Sequence, residues 1–244
     1  MELCAGSDHF APDEAIVATR QTWLSFVISL QNDLLRQLTP QDQALVQHIC
    51  EPAELRSGQR LCEPQIGASP PIYFLTGATV AMLVEDAKIS SMAVGLLGAE
   101  GVVGIAGLLN LVPGNLTFEV QTSGTAWRAE CTALRELMNG SPDMLWFISK
   151  YVWHLVEDVA HITSNIQTHD ILSRLAAWLL LSADKAQTQS LHLTHEHLAR
   201  MLGVRRVSIT LAASELRERG LVHYSRGQLQ ILDTAGLEKI ALAH

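Results

Sequence analysis

The chain has no apolar run long enough to cross a bilayer. Its longest, Met92 to Ala99 and Gly101 to Val112, fall well short of the ~20 residues needed, so no membrane partner is expected. No basic stretch precedes an N-terminal apolar segment, where Glu2 and Asp8 stand instead, and no secretory leader is expected. The four cysteines, Cys4, Cys50, Cys62 and Cys131, are scattered and form no C-x-x-C pair. That pattern fits reduced thiols in the cytoplasm better than a disulfide frame or a zinc site. Also missing are G-x-S-x-G, paired carboxylates at a shared turn and a phosphate-cradling lysine loop, so an enzyme is not expected. What is present suffices for folding. With 48% hydrophobic and 17% charged residues among 244, the chain supports one or two domains with real cores and is not disordered.

The net charge of −8 is unevenly spread. From residue 189 onward seven Lys/Arg meet five Asp/Glu, a balance of +2, while residues 1–188 carry −10. The window from Arg205 to Arg226 is +3. A short basic patch on an acidic chain is what local phosphate binding requires, although a solvated surface also fits.

Texture changes along the chain. A lead-in helix is expected from Asp13 to Phe26, then two short helices around Leu34, Leu35, Leu38 and Leu45, Val46, Ile49, parted by Thr39-Pro40. From Ala53 to Glu130, short runs such as Ile72–Leu75, Val80–Val84 and Thr117–Val120 alternate with glycines, the pattern of a small antiparallel barrel or sandwich. After Pro142 a helical stretch runs without Pro or Gly to Gly203. Its apolar residues Ile148, Val152, Leu155, Val159, Ile162 and Ile166 step by 4 and 3, the spacing of a coiled-coil seam. The competing reading is a helix packed on its own barrel.

Thr194 to Ser214 carries the sharpest pattern. Ala199 is small where two helices would cross, Gly203 follows at the turn, and Leu198, Leu202, Val204, Ile209 and Ala212 fill the apolar offsets. Thr194 suits an N-cap, with His197 at the third helical position. Leu221–Tyr224 and Leu229–Leu232 then read as a β-hairpin turning at Arg226-Gly227, the wing of a winged helix. With barrel, long helix and winged helix in this order, the chain resembles the Crp–Fnr family of bacterial transcription regulators over about residues 30–233. The resemblance implies an α+β fold: an antiparallel β-barrel of jelly-roll, cyclic-nucleotide-binding-like form, a long dimerisation helix and a winged helix-turn-helix. It divides the chain into a lead-in (1–30), a sensor barrel (31–140), a dimerisation helix (141–168) and a DNA-binding domain (169–244).

Arg205, Arg206, Val207, Ser208, Thr210 and Leu211 take the place of the family's recognition helix. Arg206 falls on its guanine-reading arginine, whose fork can bond O6 and N7 together. Val207 and Leu211 replace a base-reading glutamate and arginine, so the family's familiar half-site does not transfer. Tyr224, Ser225 and Arg226 on the wing are expected at phosphates.

The effector cassette departs further. Gly104-Ile105-Ala106 stands where Gly-Glu-Leu would hold a ribose, Leu116-Thr117 where an arginine pair would hold a cyclic phosphate, and Val159 where a polar residue would meet adenine. Without those groups cyclic AMP and cyclic GMP are not expected to bind, and no cofactor or metal is implied. Cys4 alone offers no iron–sulfur cluster. The ten histidines leave haem open, and His192, His195 and His197 lack the spacing of a zinc pattern. The expected partners are a double-stranded operator, a second copy of the chain, RNA polymerase and an unidentified small effector. The alternative is a ligand-binding module whose winged helix meets protein.

Overall fold

The structure, a computed structural model, describes residues 32–62, 69–85, 91–111, 114–225 and 227–243. The expected lead-in helix, Cys4, Val112 and Arg226 lie outside the described residues.

A 3-10 turn at Leu35–Gln37 leads into α1 (Pro40–Ile49). Thr39 caps α1, its Oγ1 accepting from the Asp42 amide at 3.2 Å, with Pro40 in the first turn, where a missing N–H costs nothing. Eight strands follow: β1 (Cys50–Leu55), β2 (Arg60–Leu61), β3 (Ile72–Leu75), β4 (Thr79–Val84), β5 (Met92–Leu97), β6 (Val102–Val103), β7 (Leu116–Thr122) and β8 (Gly124–Ala129). They form two antiparallel sheets ordered β1-β8-β3-β6 and β2-β7-β4-β5. Leu55, Leu75, Val80, Leu97, Val103, Val120 and Ala126, drawn from both sheets, share one core. The expected barrel is therefore present as a two-sheet roll.

β4 explains its own composition. Val80 points into the roll, whereas Ala81 and Leu83 join a second core with the C-terminal helices. A strand covered on both faces is apolar throughout rather than alternating. A register shift at Met82/Leu83 lies against Gly95, where an added Cβ would come within 2.8 Å of the Met82 side chain.

Between β6 and β7 lies the single turn α2 (Ile105–Leu108); α3 (Cys131–Gly140) and α4 (Pro142–Thr168) follow β8. The remaining helices are α5 (Ile171–Ala186), α6 (His195–Leu202), α7 (Arg206–Glu218) and α8 (Thr234–Ala241). The stretch without Pro or Gly up to Gly203 is three helices, divided at His169–Asp170 and again between Ala186 and His195. The Asp170 carboxylate accepts from the Ser173 amide at 2.8 Å, starting α5 afresh and holding its own pKa low.

α4 divides the expected seam. Ile148 is buried with Tyr151 and Met144 against the chain's own core, and Val152 packs on the same cluster. Leu155 packs on the core of the roll, Val159 is half-buried, and Ile162 and Ile166 line a cavity against α5. The N-terminal half of the 4–3 stripe is thus engaged by the chain's own cores, while Val159, Ile162 and Ile166 keep part of their surface open. A second apolar face, roughly a third of a turn round the helix, is open: Leu145, Trp146, Trp153 and Val156, with the two tryptophans 69% and 63% exposed.

Candidate nucleic-acid interface

The C-terminal unit is built as the motif requires. Thr194 Oγ1 accepts from the His197 amide at 3.1 Å and starts α6; Gly203 ends it at φ +63°, a left-handed cap that favours glycine. Leu198, Ala199, Leu202, Ile209, Ala212, Ala213 and Leu216 lock α6 to α7 in one core. The wing is β10 (Val222–Ser225) paired antiparallel with β11 (Gln228–Ile231). Sequence reasoning missed a third strand, β9 (Ser190–Leu191), which pairs with β11. Two residues in a polar linker carry too short a pattern to stand out.

α7 turns the predicted residues outward. Arg205, Arg206, Val207, Thr210 and Leu211 are exposed, Ser208 is half-buried, and Val207 and Leu211 are each 68% exposed. Arg206 Nε lies 4.0 Å from Glu196 on α6, an open and weak pair. His195 Nδ1 is 3.1 Å from Thr210 Oγ1, and its ring stacks at a tilt 4.6 Å from that of Tyr224. Burial and Arg206 lower the His195 pKa. Ser225 is exposed on the wing, but Tyr224 corrects its expected role. Its hydroxyl donates to the Leu193 carbonyl at 2.6 Å and is committed within the fold rather than free for phosphate.

The cassette residues divide between the sheets. Gly104, at φ +99°, precedes α2, and a Cβ there would lie 2.6 Å from the Pro71 carbonyl, so Ile105 and Ala106 follow a turn that requires glycine. Leu116 and Thr117 lie on β7 opposite Val84 and Leu83, with the Thr117 hydroxyl buried and finding no partner among the described residues. A cation that sequence reasoning missed does reach α2. Arg135 of α3 donates to the Gly107 and Leu108 carbonyls at 2.5 and 3.2 Å, closing the helix end. Arg128 is engaged as well, 2.5 Å from each of Glu51 and Glu130. Among the described residues no three His, Cys, Asp or Glu converge as a metal site would need, and no helix is long and apolar enough to cross a membrane.

The winged helix also rests on the roll. Glu119 of β7 meets Arg200 of α6, Gln121 donates to Ser182 at 3.1 Å in the buried interface, and Glu100 meets Lys185 at 2.6 Å. Strand alternation alone reads Glu119 and Gln121 as solvent-facing, so the sequence carried no signal of this contact.

Comparison with known proteins agrees with this geometry. Residues 173–240 match the model of the Crp-like helix-turn-helix domain. No curated protein matches the chain. Among solved structures, a Crp/Fnr-family regulator from Eubacterium rectale is similar at 18% identity and a TM-score of 0.67, over 86% of this chain and 98% of its own. A Crp/Fnr-family regulator from Thermus thermophilus reaches 20% and 0.64, over 79% and 99%. The c-di-GMP-responsive global regulator of Xanthomonas campestris reaches 16% and 0.65, over 80% and 100%. The chain thus carries a Crp-like helix-turn-helix domain and has the fold of the Crp–Fnr transcription regulators, the family its sequence resembles.

Proposed function

We propose that the protein is a sequence-specific DNA-binding transcription regulator acting as a homodimer. The observation that carries the reading is the outward face of α7. Two arginines stand at its start, and Val207 and Leu211 are left open on a helix whose other face is locked into the core. Arginines supply phosphate and guanine contacts, and open aliphatic side chains suit thymine methyls. The open face of α4, with Leu145, Trp153 and Val156, supports pairing with a second copy. The proposed organisation is a sensor roll over residues 31–140, a pairing helix over 141–168 and a DNA-binding unit from 169 onward. The cassette takes no cyclic nucleotide in this reading, because Arg135, Arg128 and Arg60 are each already engaged.

Titration of salt against binding to random duplex DNA tests this. Affinity should fall steeply, with a log–log slope of about −0.9 per phosphate contact. Absence of binding at about 50 mM salt and micromolar protein would remove the regulator reading and favour a winged helix that meets protein.

A further inference from the structure

The first two turns of α7 are the part of a helix-turn-helix that meets base edges. Arg205, Arg206, Val207, Thr210 and Leu211 are exposed there, and residues 205–211 include no Asp, Glu, Asn or Gln. Val207 stands almost opposite the buried row of Ile209, Ala212 and Leu216, so it lies at the centre of the outward face. Leu211 follows one turn later, and the two make an aliphatic strip, each 68% exposed.

The polar groups around the strip are occupied or set back. The Thr210 hydroxyl donates to the Arg206 carbonyl at 3.1 Å and lies 3.1 Å from His195 Nδ1, so it is committed on both sides. Ser208 is half-buried at the margin of the face. Glu196 on α6 approaches only Arg206 Nε, at 4.0 Å, which leaves the two terminal nitrogens of the fork without a partner among the described residues. Further along α7, Glu215 is paired with Arg219, and Glu218 is exposed about 10 Å beyond Leu211.

Such a face can tell some bases apart and not others. An arginine fork takes O6 and N7 of guanine, whereas recognising cytosine by its amino group needs a carboxylate acceptor. An aliphatic strip responds to another group, the methyl that thymine carries at C5 in the major groove. 5-Methylcytosine bears the same methyl at the same ring position; uracil and unmodified cytosine lack it. Arg206 and Val207 are consecutive, which puts the guanine and the methyl on neighbouring base pairs.

We propose that α7 reads the C5-methyl group itself: Val207 and Leu211 pack on methylated pyrimidines beside the guanine taken by Arg206, so that 5-methylcytosine serves in place of thymine. Duplex DNA with methylated CG steps is then a ligand class of this protein. The inference rests on the DNA-binding reading of α7 and adds to it a response to a covalent mark on the DNA.

The test begins with selection of duplexes from a randomised library by the full chain. In the best duplex each thymine beside the guanine of a half-site is replaced in turn by uracil, by cytosine and by 5-methylcytosine, with the partner base matched. Uracil and cytosine should each weaken binding about fourfold, the worth of one buried methyl, while 5-methylcytosine stays within about twofold of thymine. Val207→Ser/Leu211→Ser should bind more weakly and no longer distinguish thymine from uracil. Both residues are exposed, so its melting temperature should match that of the parent chain. The proposal is overturned by equal affinity for thymine and uracil, by 5-methylcytosine binding as weakly as cytosine, or by a selected half-site with no thymine beside its guanine. A thymine preference that survives in the folded double variant also overturns it, and assigns the strip to another partner such as a protein. Enrichment of no duplex at all removes the DNA-binding reading together with this one, a result distinct from a selected duplex that ignores the methyl.

Discussion

Glu119 on β7 and Arg200 on α6 form a two-pronged ion pair that ties the roll to the winged helix, with Glu119 only 2% exposed. A buried carboxylate that keeps its charge needs this partner, and removing the partner strands it. Arg200→Ala should therefore destabilise the chain. A fully buried pair would lose ~3–5 kcal/mol, but Arg200 is partly solvated, so about 2 kcal/mol is the expected loss. Urea denaturation measures this, and the double variant Glu119→Met/Arg200→Met should recover most of it. A midpoint unmoved by Arg200→Ala would mean that the pair carries no stability.

His197 gives the same interface a pH dependence. Burial, then Arg200, hold its pKa below the ordinary 6.5, with Glu119 pulling the other way. As pH falls through about 6.5 the unfolded chain takes up the proton first, so stability drops there and levels off below the lower folded-state value. Melting temperature should fall between about pH 7.5 and 5.5, and His197→Gln should shrink that difference. His195, also lowered, leaves a remainder.

Trp153→Asp places a carboxylate on the open face of α4, next to its symmetry mate in a pair of chains. Sedimentation should report a monomer with a nearly unchanged melting temperature, because the residue is exposed. Val159→Asp should instead destabilise the chain itself, since Val159 is already half-buried there. A Trp153→Asp protein that keeps its dimer mass would place the interface elsewhere.

Arg206→Ala should cost about 1–3 kcal/mol on the cognate operator and relax preference at one base pair per half-site. Equal losses on cognate and random DNA would reduce Arg206 to a phosphate contact. Competition footprinting separates the two.

Cyclic AMP and cyclic GMP should give no calorimetric heat at about 100 µM, each missing charge-assisted bond forfeiting about 1.5–3 kcal/mol. Micromolar binding would overturn this and point to Arg128 leaving Glu51 and Glu130, Arg135 leaving α2, Arg60 leaving Glu85, or backbone amides holding the phosphate.

Much of this fold was legible. Ile72–Leu75 is β3 residue for residue, Val80–Val84 lies within β4, and Thr194, Ala199 and Gly203 stand where their chemistry placed them. Such features are local: a cap, a turn glycine and strand alternation depend on neighbours in the chain. What was not legible depends on what covers a surface. The stripe of Ile148, Leu155 and Ile162 states that one face of α4 is buried, not whether its own roll or a second copy buries it. Glu119 and Gln121 likewise follow the pattern of a solvated strand face, yet meet another domain. The unbroken apolar runs of β4 and β5 hinted that this sheet is covered on both sides.

Ala81, Leu83, Ala93 and Leu96 of the roll share one core with Leu198, Met201 and Leu202 of the winged helix. The winged-helix part of this chain is therefore not a portable cassette. Cutting at His169 would bare a greasy strip on each fragment, and Gly203, whose Cα faces the Met92 side chain, would lose the wall it leans on. Chimaeras that exchange recognition helices would have to graft α7 alone, leaving α6 seated on its own sheet.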